Sequence, residues 1–170
     1  MKRLIVIGMA EFPDGQPPLG QRGCEQMERI AEALHPILKG HRVRLITGEL
    51  SWMRGAASIV GNVLGIVQGP TSPWMSCAGR PSHEVAVKIM SELLISPEKL
   101  VVALLRSDHA TALIWHVDKY HARDEPRTRG RAGCWMPSID PGNAALIDLR
   151  SGLRVEILVP QPRPSISRAG

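Results

Sequence analysis

The chain has 170 residues, of which 44% are hydrophobic and 22% charged, and its formal net charge is +5. This length suits one domain, and this composition excludes a disordered chain. No apolar run approaches the ~20 residues of a membrane span, and the run after Met1 breaks at Glu11 without a signal-peptide cleavage site. The widely spaced Cys24, Cys77 and Cys134 indicate neither a disulfide framework nor a zinc site. We therefore expect a cytoplasmic protein without a metal or another cofactor.

The first half of the sequence predicts two strands that alternate with two helices. The run over residues 2–8 is typical of a central strand covered on both faces, because it is apolar almost throughout. A helix over residues 20–38 follows, since its apolar residues recur three and four positions apart, and Pro36 is expected to distort or end its last turn. Residues 42–46 are predicted to form a second strand, and residues 51–64 a second helix.

The next part of the sequence predicts a long connection, two helices and a buried strand. Residues 65–81 are rich in Pro, Gly and Ser, which indicates the connection. Ser82 is the expected N-cap of a third helix. The continuous apolar run over residues 100–105 indicates another buried strand, after which Asp108 is expected to cap a helix that ends near Val117.

The last part of the sequence predicts a polar, basic loop and then a β-hairpin. The loop covers residues 118–142, and the hairpin joins the alternating segments 143–149 and 153–159 through a turn that contains Gly152. The alternation of strand-like and helix-like segments predicts an α/β fold. We expect a single domain over residues 1–160, followed by a Pro-rich, disordered tail over residues 161–170.

Segments at the joints between these elements resemble the motifs of one family. PLGQRGCEQM (residues 18–27) is similar to P-L-T-x-x-G-x-x-Q-A, and TGELSWMRGAA (47–57) is loosely similar to T-S-P-L-x-R-A-x-x-T-A. LVVALLRSDHATAL (100–113) places a histidine at a helix start after a buried strand, and PGNAALID (141–148) fits P-G-x-A-x-x-x-D. In this order the segments resemble the histidine phosphatase (phosphoglycerate mutase-like) superfamily, and above all its short, capless phosphohistidine phosphatases. Over residues 3–158 the resemblance implies three layers, with helices on both faces of a mostly parallel sheet and a C-terminal β-hairpin.

The same resemblance implies that the family's active site is degenerate here. In the family, the first strand ends in an R-H-G-E type motif whose histidine attacks phosphorus, while two arginines and a second histidine hold the phosphoryl oxygens. A methionine thioether stands at the nucleophile position and has no proton to lose, so it cannot replace that histidine. Only His109 stays where the family keeps a catalytic histidine, so no catalytic residue is expected by the family mechanism. The predicted positions of the degenerate pocket are Gly8, Met9, Ala10, Glu11, Trp52, Arg54, Ser107 and His109.

Several of these residues have two interpretations that the sequence leaves open. His109 either binds an anion at a helix N-terminus or is a buried, hydrogen-bonded remnant. Met9 and Ala10 either fill a collapsed pocket or line a pocket for an uncharged ligand. Glu11 is either a solvated carboxylate or an acid catalyst, and Arg54 is either a surface charge or a phosphate ligand that replaces the missing arginine.

Three hypotheses for the function follow from these residues. The first is a catalytically degenerate protein that binds an unidentified small ligand or a protein partner, as a monomer or a homo-oligomer. The second is an atypical phosphohydrolase, acting on a phosphomonoester or phosphohistidine, that uses His109 with Arg54 and Arg106. The third is a protein associated with nucleic acid or another polyanion, based on the net charge and the basic stretch 119–131. We do not expect nucleic acid or a membrane as partners, because no array of stacking aromatics accompanies the basic stretch.

Overall fold

The computed structural model describes residues 3–9, 19–76, 83–121, 139–148 and 154–160, and of residues 118–121 and 154 it describes the backbone only. These ranges contain a six-stranded sheet and four α-helices. In chain order they are β1 (Arg3–Gly8), α1 (Gln21–Leu38), β2 (Val43–Gly48), α2 (Ser51–Leu64), β3 (Gln68–Ser72), α3 (His83–Ile95), β4 (Leu100–Leu105), α4 (Ser107–His121), β5 (Ala144–Asp148) and β6 (Arg154–Leu158).

The strands follow the order β3-β2-β4-β1-β5-β6 across the sheet. The pairs β1–β4, β2–β4 and β2–β3 are parallel, whereas β5 is antiparallel to both β1 and β6. Five of the six strands therefore point the same way. The continuous apolar sequences of β1 and β4 place these two strands side by side at the centre of the sheet, where all but Arg3 of their residues are buried.

The helices cover both faces of the sheet. The connections through α1 and α2 step towards the β3 edge, and the connection through α3 steps back, so right-handed crossovers place α3 on the opposite face. In agreement, α1 packs against α2, and α3 packs against α4. The predicted three-layer α/β fold, its mostly parallel sheet and the pairing of its C-terminal strands are thus confirmed.

The predicted bounds hold best where the apolar pattern is strongest. The helix over residues 51–64 and the strand over residues 100–105 are confirmed at both ends. Pro36 lies in the last turn of α1, which continues to Leu38, so the proline marks the end of the helix without breaking it earlier. The predicted Ser82 cap, the Gly152 turn and the tail over residues 161–170 lie outside the described residues.

Two predictions about these elements are wrong. Residues 65–81 contain β3, which the sequence conceals because Gln68–Ser72 includes no residue typical of a buried strand and includes Pro70. β3 lies at the edge of the sheet, where a strand tolerates proline. Asp108 is not the N-cap residue: it lies within the first turn of α4, which begins at Ser107 and continues beyond Val117 to His121.

Candidate functional site at the carboxyl ends of the central strands

The carboxyl ends of β1, β2 and β4 lie at the same end of the sheet, and the predicted site residues are in or just after these ends. Because these strands are parallel, Gly8 pairs with Leu105, and Thr47 pairs with Leu104. The crevice outside such carboxyl ends is where α/β sheets of this kind bind their ligands. The Ser107 hydroxyl also reaches this end of the sheet, since it donates to the Met9 carbonyl oxygen at 3.2 Å.

No space for a side chain exists at Gly8, the position that corresponds to the family's phosphate-binding arginine. A Cβ atom built there would lie 2.6 Å from the Cγ2 of Ile139, 3.0 Å from the carbonyl oxygen of Asp140 and 3.1 Å from the Oγ of Ser107. A carbon atom at 2.6 Å from another is far inside van der Waals contact. An arginine could therefore enter this position only if the chain around Ile139 moved away.

Residues 139–143 are held over Gly8 by several hydrogen bonds. The Gly8 amide donates to the Asn143 carbonyl oxygen at 2.9 Å, and the Gly142 amide donates to the Gly8 carbonyl oxygen at 3.0 Å. The Ile139 amide donates to the Thr111 hydroxyl at 3.0 Å. Gly142 has a φ of 80°, which glycine adopts without strain and which lets the chain turn into β5. The turn before β5 thus closes the space over the end of β1.

Met9 packs with the core. Its side chain is 2% exposed and belongs to the main apolar cluster. Its amide donates to the Leu105 carbonyl oxygen at 2.7 Å, which extends the pairing of β1 with β4 by one residue. Ala10 and Glu11 lie outside the described residues.

The second motif segment, which follows β2, also leaves no space for a side chain at its glycine, and a methionine fills that space. A Cβ atom at Gly48 would contact the side chains of Met53 and Ser76, and the buried Met53 belongs to the core. Trp52, at the position of the family's second arginine, is partly buried against that core. Arg54 is exposed on α2. The structure therefore leaves Arg54 at the surface.

His109 lies in the first turn of α4, where its side chain is 2% exposed. Asp108 engages two of the groups around His109 that could attract an anion. The His109 amide donates to Asp108 Oδ1 at 2.9 Å, and Arg106 Nη2 lies 2.8 Å from Asp108 Oδ2. Asp108 thus takes the place that an external anion would occupy at this helix N-terminus.

Other chemistry is sparse in the part of the chain that the structure describes. There, no group of three or more His, Cys, Asp and Glu side chains could hold a metal ion. No described helix has the length and apolar character needed to cross a membrane. Lys88 Nζ lies 3.8 Å from the ring centroid of Trp74, a cation–π contact, and Trp74 also packs against the core. The side chains of the basic stretch 119–131 lie outside the described residues.

The sequence analysis missed the residues that close the site. Ile139 and Asp140 fell within the predicted loop over residues 118–142, and Met53 was assigned no role. The available signal was weak: a glycine at the arginine position predicts that a neighbouring atom takes the space, but it does not say which residue supplies that atom.

The fold matches solved structures of known phosphatases and mutases. A protein described as the phosphohistidine phosphatase SixA from Nakamurella multipartitia has a TM-score of 0.70 and 17% identity, covering 95% of this chain and 97% of its own. The protein histidine phosphatase SixA complexed with tungstate has a TM-score of 0.64 and 11% identity, covering 92% and 96%. Phosphoglycerate mutase from Plasmodium falciparum has a TM-score of 0.59 and 10% identity, covering 98% and 97%.

No protein-family model and no curated protein matches the sequence. The structural matches define an α/β protein of phosphoglycerate mutase-like architecture. The fold that the resemblance of the sequence motifs implied is therefore confirmed. At identities this low the similarity establishes the fold, whereas an activity has to be argued from the site itself.

Proposed function

We propose that this protein keeps the histidine phosphatase fold but does not transfer phosphoryl groups by the family mechanism, and that it serves to bind a ligand or a partner. The closed space at Gly8 is the observation that carries this proposal. The phosphoryl group needs a guanidinium there, and the Ile139 side chain and the Asp140 carbonyl oxygen occupy the place where its Cβ would begin.

The chemistry of phosphoryl transfer makes this loss severe. The reaction depends on positioning and on positive charge around the equatorial oxygens of the transferred group. Removing one such donor from a preorganised site typically costs about 3 kcal/mol in transition-state stabilisation. The buried thioether of Met9 in place of a nucleophilic histidine also removes the covalent intermediate.

The proposal is tested by hydrolysis of p-nitrophenyl phosphate from about pH 5 to about pH 9, the range in which histidine titrates. The wild-type protein, His109→Ala and the control His41→Ala are compared at equal concentration. His41 is exposed between α1 and β2, at the opposite edge of the sheet. We expect all three proteins to show the same background rate. Activity that persists in His41→Ala and disappears in His109→Ala would overturn the proposal.

The second candidate function is an atypical phosphohydrolase that uses His109. It is favoured by the place of His109 beside the end of β4 and by the activities of the proteins that share the fold. It requires Asp108 to release Arg106 and the His109 amide, so that both can meet a phosphate. Tungstate, the anion bound in one of the similar structures, is the direct probe: binding that depends on His109 would favour this candidate over the first.

The remaining hypotheses stay predictions. Association with a polyanion depends on the side chains of residues 119–131, and a cytoplasmic location depends on the sequence alone. Neither adds a residue to the closed site.

A further inference from the structure

A second site of different character lies elsewhere on the same sheet. A cavity of about 330 Å³ opens between the β2–β3 edge and the carboxyl end of α3. Arg44 and Ile46 of β2 line it. The alternate residue Leu45 points to α2, since its Cδ2 is 3.6 Å from a Cβ placed at Gly61, so the cavity lies on the α3 face. It shares no residue with the closed site.

The edge strand β3 forms one wall of the cavity because of a β-bulge. Gln68 pairs with Leu45 and Thr71 pairs with Thr47, so β3 advances three residues while β2 advances two. Gly69 makes this possible: a Cβ atom there would lie 2.6 Å from the Leu45 carbonyl oxygen. A bulge of this kind re-aims the residues that follow it. Here Thr71 and Ser72, although consecutive, both line the cavity.

One residue of the cavity wall is a buried serine. Ser72 is 2% exposed, and within the described ranges its Oγ has no hydrogen-bond partner. This oxygen is closed off from the open part of the cavity, so Ser72 shapes the wall and offers its backbone, not its hydroxyl, to a ligand.

A fixed positive charge lies in the wall of the cavity. The Ser96 hydroxyl donates to Glu98 Oε2 at 2.8 Å, and Arg44 Nη1 lies 3.5 Å from the same oxygen. The Ser96 hydrogen bond, with a smaller contribution from Arg44, holds the pKa of Glu98 below its ordinary value. Glu98 therefore stays charged and orients Arg44. A guanidinium has five N–H donors, and the long contact with Glu98 uses one of them.

A negative charge and apolar surface complete the lining. Glu92 is half-buried on α3 and forms no ion pair within the described ranges. Ile46 and Ile95 supply apolar contact, and Ile95 is otherwise an exposed hydrophobic side chain. The volume is at the lower end of the range for ligand sites, about 300–1,000 Å³.

We propose that this cavity binds a small zwitterion of the amino-acid type, with its carboxylate on Arg44, its ammonium group on Glu92 and an apolar side chain between Ile46 and Ile95. This inference rests on the proposed function, because it assumes that the protein binds a ligand. It adds which ligand is bound and in which cavity.

The test is a titration of the ¹⁵N-labelled protein followed by ¹H–¹⁵N correlation spectra, with three probes of matched shape. L-leucine carries both charges, 4-methylpentanoate only the carboxylate, and 3-methylbutylamine only the ammonium group. We expect L-leucine to shift the amide signals of Ser72 and Ser96, and the other two probes to bind about tenfold more weakly, which corresponds to one charged hydrogen bond.

Two variants and a control locate the binding. Arg44→Gln and Glu92→Gln are each expected to weaken L-leucine binding about tenfold. Glu32→Gln makes the same change of charge on the exposed face of α1, on the opposite side of the sheet, and is expected to leave binding unchanged.

The inference is overturned if L-leucine causes no shift up to about 10 mM, where a complex with a dissociation constant of about 1 mM would be mostly formed. It is also overturned if binding survives in both charge variants. Neither result affects the closed site, which the phosphatase assay tests separately. Failure of the cavity and failure of the proposed function are therefore distinguishable.

Discussion

The carboxyl end of β1 and the cavity beside β3 belong to one sheet but are packed differently. At the end of β1, the turn before β5 lies against Gly8, whose backbone groups are hydrogen-bonded within the chain, and Arg106 pairs with Asp108. Beside β3, a cavity of about 330 Å³ stays open between the strands and α3. The difference teaches that one sheet can be tightly packed at one place and open at another.

The largest expected effect on stability comes from substitutions of Met9, whose side chain we interpret as part of the core. Met9→Ala should lower the free energy of unfolding by about 2–5 kcal/mol, because it leaves a cavity in a fully packed cluster. Met9→Leu keeps the volume and should cost less than about 1.5 kcal/mol. Urea denaturation measures both. Equal, small losses would mean that Met9 lines an open pocket, and the contrast between the two regions would be broken.

The next effect compares two glycines. Gly8→Ala should destabilise the protein by about 1–3 kcal/mol, because the new methyl group meets Ile139 and overpacks the site. Gly55→Ala on α2 meets nothing within 4 Å and should stabilise the helix by up to about 1 kcal/mol. The two midpoints in urea should move in opposite directions. A neutral Gly8→Ala would show that the space over β1 is open.

A smaller effect on stability is expected when the carboxylate of Asp108, in the first turn of α4, is removed. Asp108→Asn should change stability by less than about 1 kcal/mol, since its pair with Arg106 is partly exposed. If Ile139 is what closes the site, the variant should bind tungstate no better than the wild type in calorimetric titrations. A clear gain in tungstate affinity would assign the closure to Asp108 and would favour the phosphohydrolase.

The smallest expected effect is on the pH dependence of stability, and it concerns the cavity beside β3. The pKa of Glu98 is lowered in the folded protein, first by the Ser96 hydroxyl, so the charged carboxylate stabilises the fold at neutral pH. This contribution is lost as the pH falls below the ordinary value of 4.5 and through the lowered one. Ser96→Ala should therefore lose stability at neutral pH and show a shallower decline in acid. An unchanged pH profile would mean that the hydroxyl does not orient Glu98.

The sequence predicts those elements whose apolar residues form a clear pattern. It does not predict a strand that has no apolar pattern. β4 and α2 are found at their predicted bounds because their apolar residues repeat with one period. β3 is missed because its residues contribute almost nothing to the core, and only its pairing with β2 makes it a strand.

For the candidate site, the sequence predicts which residue types are present but not which distant residues lie next to them. Residue types alone predict that Gly8 and Met9 cannot perform the family's chemistry. That Ile139 fills the space, and that Ser72 and Arg44 share a cavity, depends on which distant segments meet. These contacts follow from the topology of the sheet, and no local pattern in the sequence encodes them.

The central position of β1 also bears on how the protein is made. Its two neighbours, β4 and β5, follow it in sequence by about 90 and about 135 residues. Contacts between segments so far apart in sequence slow folding, since a long loop must close before they form. During synthesis, β1 therefore leaves the ribosome long before the two strands that pair with its edges. Over that interval we expect β1 to be the segment that most needs a chaperone.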